Sequence, residues 1–147
     1  MIYAVSDIHG CYEKYVQLLE IIRFSEGDTL YVLGDVVDRG SGGIRVLQHM
    51  KEHGNILPLR GNHEVLAASL LRRLSAPAGL HSRKLVELCQ LWFQDGGRET
   101  YEAFAALSQE ERTRILEYLD TFFIYEEITV NGRNFFLSHT APEKEKM

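Results

Sequence analysis

The chain is poor in cysteine, in basic charge and in long apolar runs. Cys11 and Cys89 are its two cysteines and show no metal-type spacing, so free thiols in a reducing cytoplasm are expected. The 16 basic residues are outnumbered by 21 acidic ones, for a net charge of −5. That balance disfavours a nucleic-acid or acidic-membrane partner. No apolar run approaches the roughly 20 residues needed to span a bilayer. The first residues, MIYAV, have neither a basic flank nor a long apolar stretch and do not read as a targeting signal. Internal repeats, low-complexity tracts and linkers are also missing. What is present is 147 residues, 45% hydrophobic and 25% charged, enough for one globular domain over residues 1–147 with a real core.

Three short β-rich runs come early: Ile2–Val5, Thr29–Leu33 and Asn55–Leu59. None alternates cleanly, which suits strands buried on both faces of a parallel sheet. Helical spacing fills the intervals, over Tyr12–Ile22 and Gly43–Glu52. The result is a strand–helix–strand–helix–strand pattern of the α/β class. A helical middle follows. Glu64–Leu74 carries leucines on one face, Ser75–Gly79 reads as a break, and Leu85 to Trp92 marks a helix stopped near Gly96–Gly97. Arg98–Leu107 is helical, and Ser108 with Glu111 forms a capping-box pattern before the next helix. Phe122–Val130 and Arg133–Ser138 flank Asn131–Gly132, a strong hairpin signal.

The polar residues fall where each early strand ends. The first runs into Asp7-Ile8-His9-Gly10, the second into Gly34-Asp35-Val36-Val37-Asp38-Arg39-Gly40, the third into Arg60-Gly61-Asn62-His63-Glu64. In a parallel sheet these ends share one edge, where ligands bind. Singly, each residue would pass for a turn former, a helix cap or a solvated ion-pair partner. Three such hooks on one edge point instead to a site. Carboxylate, imidazole and amide oxygen suit manganese, iron, zinc or magnesium rather than copper(I). Clustered carboxylates without a cation would repel one another, and a pair of divalent ions removes that conflict. Arg39 and Arg60 add guanidinium groups able to grip phosphate oxygens.

These strings resemble the phosphoprotein phosphatase family of calcineurin-like metallophosphoesterases, serine/threonine type, bacterial branch. SDIHG (Ser6–Gly10), GDVVDRG (Gly34–Gly40) and RGNHE (Arg60–Glu64) stand for the family pattern GDxHG, GDxVDRG and RGNHE. Ser6 replaces a glycine that holds no ligand there. WFQDGGRET (Trp92–Thr100) resembles a segment of the bacterial branch. FFLSHTA (Phe135–Ala141) resembles the strand that delivers a later histidine, with Thr140 and Ala141 where Ala-Gly is usual. The resemblance implies an αββα sandwich, its second sheet incomplete in this chain. It implies two divalent metal ions, manganese first among the candidates. Asp7 and His9 would bind the first ion, Asp35 would bridge both, and Asn62 and His139 would bind the second. His63, oriented by Asp38, would be the general acid, and Arg39 and Arg60 would hold the phosphoryl oxygens. The implied reaction is hydrolysis of a phosphomonoester, in a phosphoprotein or a small molecule, by a metal-activated water attacking in line. Cys11 is not needed as a nucleophile and is given a core or incidental role.

Family members continue past this length with more strands and another metal-binding histidine. No histidine follows His139, and His49, His53 and His81 have no motif support as ligands. The chain therefore reads as the N-terminal portion of a longer phosphatase, with no closing element in its final EKEKM. Its second metal site is expected to be a ligand short. Two other readings stand beside the protein phosphatase. One is a dinucleoside tetraphosphate hydrolase, against which Glu64 leans, because such enzymes tend toward GNHD. The other is an inactive metal-binding module. Oligomeric state is left open.

Overall fold

The computed structural model describes residues 1–77 and 81–141. Three parallel strands, β1 (Ile2–Val5), β2 (Thr29–Val32) and β3 (Ile56–Pro58), lie in the order β1-β2-β3. Ile2 pairs with Thr29 and Leu30 with Ile56. Two helices make the crossovers, α1 (Tyr12–Ile21) and α2 (Gly43–Lys51). Parallel neighbours demand such connections, because a hairpin turn cannot return the chain in the same direction. The α/β reading holds, with one difference in the sheet. Central β2 is buried, but β1 alternates between exposed and half-buried. It is an edge strand pairing only with β2 among the described residues, so one flank of each side chain stays open.

The helical middle comprises α3 (Asn62–Leu74), α4 (Arg83–Trp92), α5 (Arg98–Ala105) and α6 (Gln109–Asp120), with a wide turn over Phe93–Gly97 between α4 and α5. Helix α3 ends where the break was expected; Gly79 of that break and the EKEKM tail lie outside the described residues. Ser108 caps α6 as its sequence implies. Its hydroxyl accepts the Glu111 N–H at 3.2 Å, and the Glu111 carboxylate accepts the Ser108 N–H at 3.4 Å. Helix α2 packs on α1, α5, α6 and β3, while α3 packs on α4 and α6. Their inward faces form one core with Leu30, Val32, Leu47, Met50, Leu70 and Trp92 at its centre. Each such side chain contributes roughly 1.5–3 kcal/mol by leaving water.

The last elements are a second, two-stranded sheet, β4 (Tyr125–Val130) and β5 (Arg133–Ser138), antiparallel about Asn131–Gly132. Both turn residues have positive φ, 51° and 78°, as the tight hairpin turn requires. The strand begins three residues later than its apolar pattern suggests. Phe122 is drawn into the core. Phe123 pairs with the end of β3, donating its N–H to the Pro58 carbonyl at 3.2 Å and accepting from the Arg60 N–H at 2.7 Å. The tertiary pairing with β3 outweighs continuation of the hairpin.

One buried side chain ties the strand-end loops to α3. Glu64 is 1% exposed. Its Oε1 accepts the N–H groups of Asp35 at 2.6 Å and Gly61 at 3.1 Å, and its Oε2 those of Val36 at 3.0 Å and Val37 at 3.4 Å. Burial pushes its carboxyl above the usual range, while the Asp35, Gly61 and Val37 amides pull it down. A glutamine would offer one acceptor oxygen and turn its own NH2 toward amide donors. Two of the amides would then lose their acceptor, at about 1–3 kcal/mol each. Glu64→Gln is therefore expected to lower unfolding free energy by about 2–6 kcal/mol, measured by urea denaturation followed through the single tryptophan, Trp92. An unchanged midpoint would show that the carboxylate does not brace these loops.

Candidate metal centre

The two loops after β1 and β2 are stitched together by backbone hydrogen bonds. Asp7, His9 and Gly10 donate their N–H groups to the carbonyls of Gly34, Asp35 and Val36 at 3.1, 2.9 and 2.8 Å. The third loop closes in from the other side. At Gly34, with φ at 84°, a Cβ would stand 2.6 Å from the backbone of Gly61, so only glycine lets these segments meet. The pinning holds an unusual backbone. Asp7, His9, Asp35, Asp38 and Arg39 all have positive φ, between 43° and 77°. Left-handed non-glycine residues persist where surrounding contacts over-determine them, and they cluster at functional sites.

The imidazoles are aimed from behind. His9 Nδ1 lies 3.1 Å from the Val37 carbonyl, and His139 Nδ1 lies 2.7 Å from the Leu33 carbonyl. A carbonyl only accepts, so both Nδ1 atoms carry the proton and both Nε2 lone pairs are left for a ligand. Those Nε2 atoms face Asp35 Oδ2, at 3.7 Å from His9 and 3.0 Å from His139. Asp7 Oδ1 is 3.5 Å from His9 Nε2. A hydrogen bond from Ser6 holds the Asp7 carboxyl below the usual carboxylate range against its desolvation, and His139 and His9 add to the effect. The substitution of serine for glycine at position 6 therefore touches the site after all.

Two donor sets result, each with its ligand atoms within 4.8 Å of one another: Asp7, Asp35 and His139, and His9, Asp35 and His63. They share Asp35, which is buried. Carboxylates and neutral imidazoles of free lone pair suit a divalent cation of borderline hardness. Asp7, His9, Asp35 and His139 fit a centre of divalent ions sharing the Asp35 carboxylate; His63 enters the second set only through Nε2, its other nitrogen being held by Asp38. His139 arrives here from the end of β5 and brings the small second sheet to the edge of the first.

Beside the donors stands a histidine–carboxylate pair. His63 Nδ1 donates to Asp38 Oδ2 at 2.7 Å. Asp38 is 0% exposed and fully partnered. Its Oδ2 also accepts Trp92 Nε1–H at 2.8 Å, its Oδ1 accepts the Thr100 hydroxyl at 2.6 Å, and its own N–H donates to Thr100 Oγ1 at 2.9 Å. Buried and saturated, Asp38 fixes the ring of His63 and leaves Nε2 pointing outward, free to take a proton as a base or, once protonated, to give one as an acid. His63 stands edge-on to His9, with ring centroids 4.8 Å apart.

The remaining sequence candidates are placed less centrally. Asn62 opens α3 with its side chain exposed, next to Gly61, which abuts the Asp35 backbone. Arg39 is at the rim, its Nη2 3.5 Å from Asp95 Oδ1. Arg60, half-buried, lines a groove with Val65, Arg72 and Leu119 between α3 and α6. The Cys11 thiol, half-buried, lies 3.8 Å from the His9 carbonyl. Sequence reasoning missed Trp92 and Thr100 as supports of Asp38, Glu64 as the brace, and Asp95. The resemblance of Trp92–Thr100 to a bacterial-branch segment was the available signal.

Symmetrical bis(5'-nucleosyl)-tetraphosphatases of Citrobacter koseri and Salmonella paratyphi B are each 42% identical over 65 residues, 43% of this chain and 23% of theirs. The chain thus spans about a quarter of the length of the curated relatives it matches. A solved structure described as a candidate diadenosine tetraphosphatase superposes with a TM-score of 0.54 at 25% identity, covering 83% of this chain and 42% of that one. The profile of the calcineurin-like phosphoesterases matches residues 1–145, and the chain belongs to that family.

Proposed function

We propose that the chain hydrolyses a phosphoanhydride bond of a dinucleoside polyphosphate, with two divalent ions held by Asp7, His9, Asp35, Asn62 and His139. The observation that carries the reading is the convergence of His9 and His139 Nε2 on buried Asp35, beside a His63 oriented by Asp38. The substrate class is supported by the names of the relatives, which favour it over the phosphoprotein reading drawn from the motifs. Glu64, which leaned the other way, spends its carboxylate on backbone amides, so its identity says little about substrate.

The bound ions supply charge neutralisation and an activated water. The chain's own residues do the rest. Asp35 holds both donor sets in register. Arg39, and Arg60 if its guanidinium turns toward the centre, grip phosphoryl oxygens. His63 Nε2–H, on a ring that Asp38 stabilises, donates to the leaving oxygen; a polyphosphate leaves readily, so this help counts for most on a poor leaving group such as an alkoxide. Free Cys11 and Cys89 persist in a reducing compartment, and we place the protein in the cytoplasm. No helix among the described residues is long and apolar enough to cross a membrane.

Three measurements test this. With manganese, the full chain is expected to show a higher kcat/KM for diadenosine tetraphosphate than for a phosphoserine peptide or p-nitrophenyl phosphate. The reverse order would restore the phosphoprotein reading, and no turnover by folded, metal-loaded protein would mean a metal-binding module. Calorimetric titration with manganese is expected to give two sites of unequal affinity. Asp35→Asn should weaken both and His139→Ala one; two equal sites, or an Asp35→Asn variant that keeps its affinity, would contradict the shared-carboxylate arrangement. His63→Asn should slow hydrolysis of an alkyl phosphate by about 10²–10⁴-fold, the usual range for general acid–base help. It should slow p-nitrophenyl phosphate much less, since nitrophenolate leaves without a proton. Equal losses on both would remove His63 as the acid.

A further inference from the structure

Asp95 stands on the wide turn between α4 and α5 and touches two groups that the proposed function assigns to the phosphoryl group. Its Oδ1 is 3.5 Å from Arg39 Nη2 and its Oδ2 3.7 Å from His63 Nε2. One carboxylate thus bridges the rim guanidinium and the outward nitrogen of the histidine, at distances longer than a hydrogen bond.

The backbone beneath it is fixed. Arg39 donates its N–H to the Gly96 carbonyl at 2.9 Å. Gly96 has φ at 97°, and a Cβ there would stand 2.4 Å from the Arg39 nitrogen, so glycine alone allows the turn to lie against that residue. The Asp95 side chain is the loose part. It is 58% exposed and Arg39 is 57% exposed. Exposed pairs of this kind are worth only about 0–1 kcal/mol, weak enough for an entering anion to displace.

We propose that Asp95 is an affinity-setting residue, a resident competitor that occupies the phosphoryl seat between Arg39 and His63 until a phosphoryl group displaces it. The inference rests on the functional reading above, which gives Arg39 and His63 their phosphoryl partners. Binding then becomes an exchange of anions. The carboxylate screens Arg39 and repels incoming phosphate oxygens, so phosphoryl groups, product included, are held less tightly than the cationic rim alone would hold them. A carboxylate with a merely structural part would anchor Arg39, and its removal would loosen phosphate binding. The two roles have opposite signs.

The test is calorimetric binding of inorganic phosphate to the manganese-loaded full chain, compared with Asp95→Asn and Asp95→Glu. Asn keeps the shape and removes the charge; Glu keeps the charge. Asp95→Asn is expected to bind phosphate about 3- to 10-fold more tightly, from the loss of one like charge at a partly exposed site. The gain should shrink as ionic strength rises, and Asp95→Glu should stay within about 2-fold of the parent. Unchanged or weaker binding in Asp95→Asn overturns the inference and leaves the functional reading standing. Failure of the manganese-loaded parent to bind phosphate overturns both.

Discussion

The site depends first on where the Glu64 carboxylate is. Four amides from two loops converge on its two oxygens. Three belong to the run Asp35–Val37, which turns away from β2, and one to Gly61 at the head of α3. Neither loop has regular structure to absorb its own donors, and a buried amide without an acceptor is costly. By taking all four, Glu64 sets the distance between the Asp35 carboxylate, common to both donor sets, and the helix that carries Asn62 and His63. A hydrogen bond from the His63 N–H to Asp35 Oδ1, at 3.1 Å, closes the same joint.

The second constraint is inherited from the first. Once Asp35–Val37 is pinned, Asp38 is turned inward to a place with no water, and a buried carboxylate must find donors or lose its charge. It finds Trp92 and Thr100, from helices on either side of the Phe93–Gly97 turn. Core packing and site chemistry therefore share one residue. Trp92 fills the centre of the core with its ring and fixes Asp38 with its N–H, so a loss of packing there also misorients His63.

This division explains what could be seen in advance. The hooks at Asp7, Asp35 and Asn62 were legible because each follows directly on a strand, and parallel strands bring successive ends to one edge. The first five elements were legible from β-rich runs for the strands and helical spacing for the helices. Contacts made across the chain were not. Trp92 and Thr100 reach Asp38 over 54 and 62 residues, and nothing in local periodicity announces such a pairing. The edge exposure of β1 was hidden for the same kind of reason, because an apolar run reports composition and not how many neighbours a strand will have. Phe122 and Phe123 look like hairpin residues until the core and the end of β3 claim them.

The same physics limits what the motifs say about substrate. On the proposed function, groups that hold ions and orient an acid serve any transferable phosphoryl centre, whatever is bonded to it. Asp7, His9, Asp35, Asp38 and His63 therefore define a chemistry, and Glu64 defines only the frame that positions it. Discrimination between a serine phosphate and a polyphosphate has to come from groups that meet the rest of the molecule or the charge it carries. On the proposed function, the group so placed among the described residues is exposed Arg39 with Asp95 beside it, while Arg60 lies in a groove between α3 and α6. Arg39 and Asp95 are also the residues with the weakest geometric constraint and the greatest exposure. A rim built this way can change its charge balance without disturbing Glu64 or Asp38, which lets substrate preference vary while the centre itself stays the same.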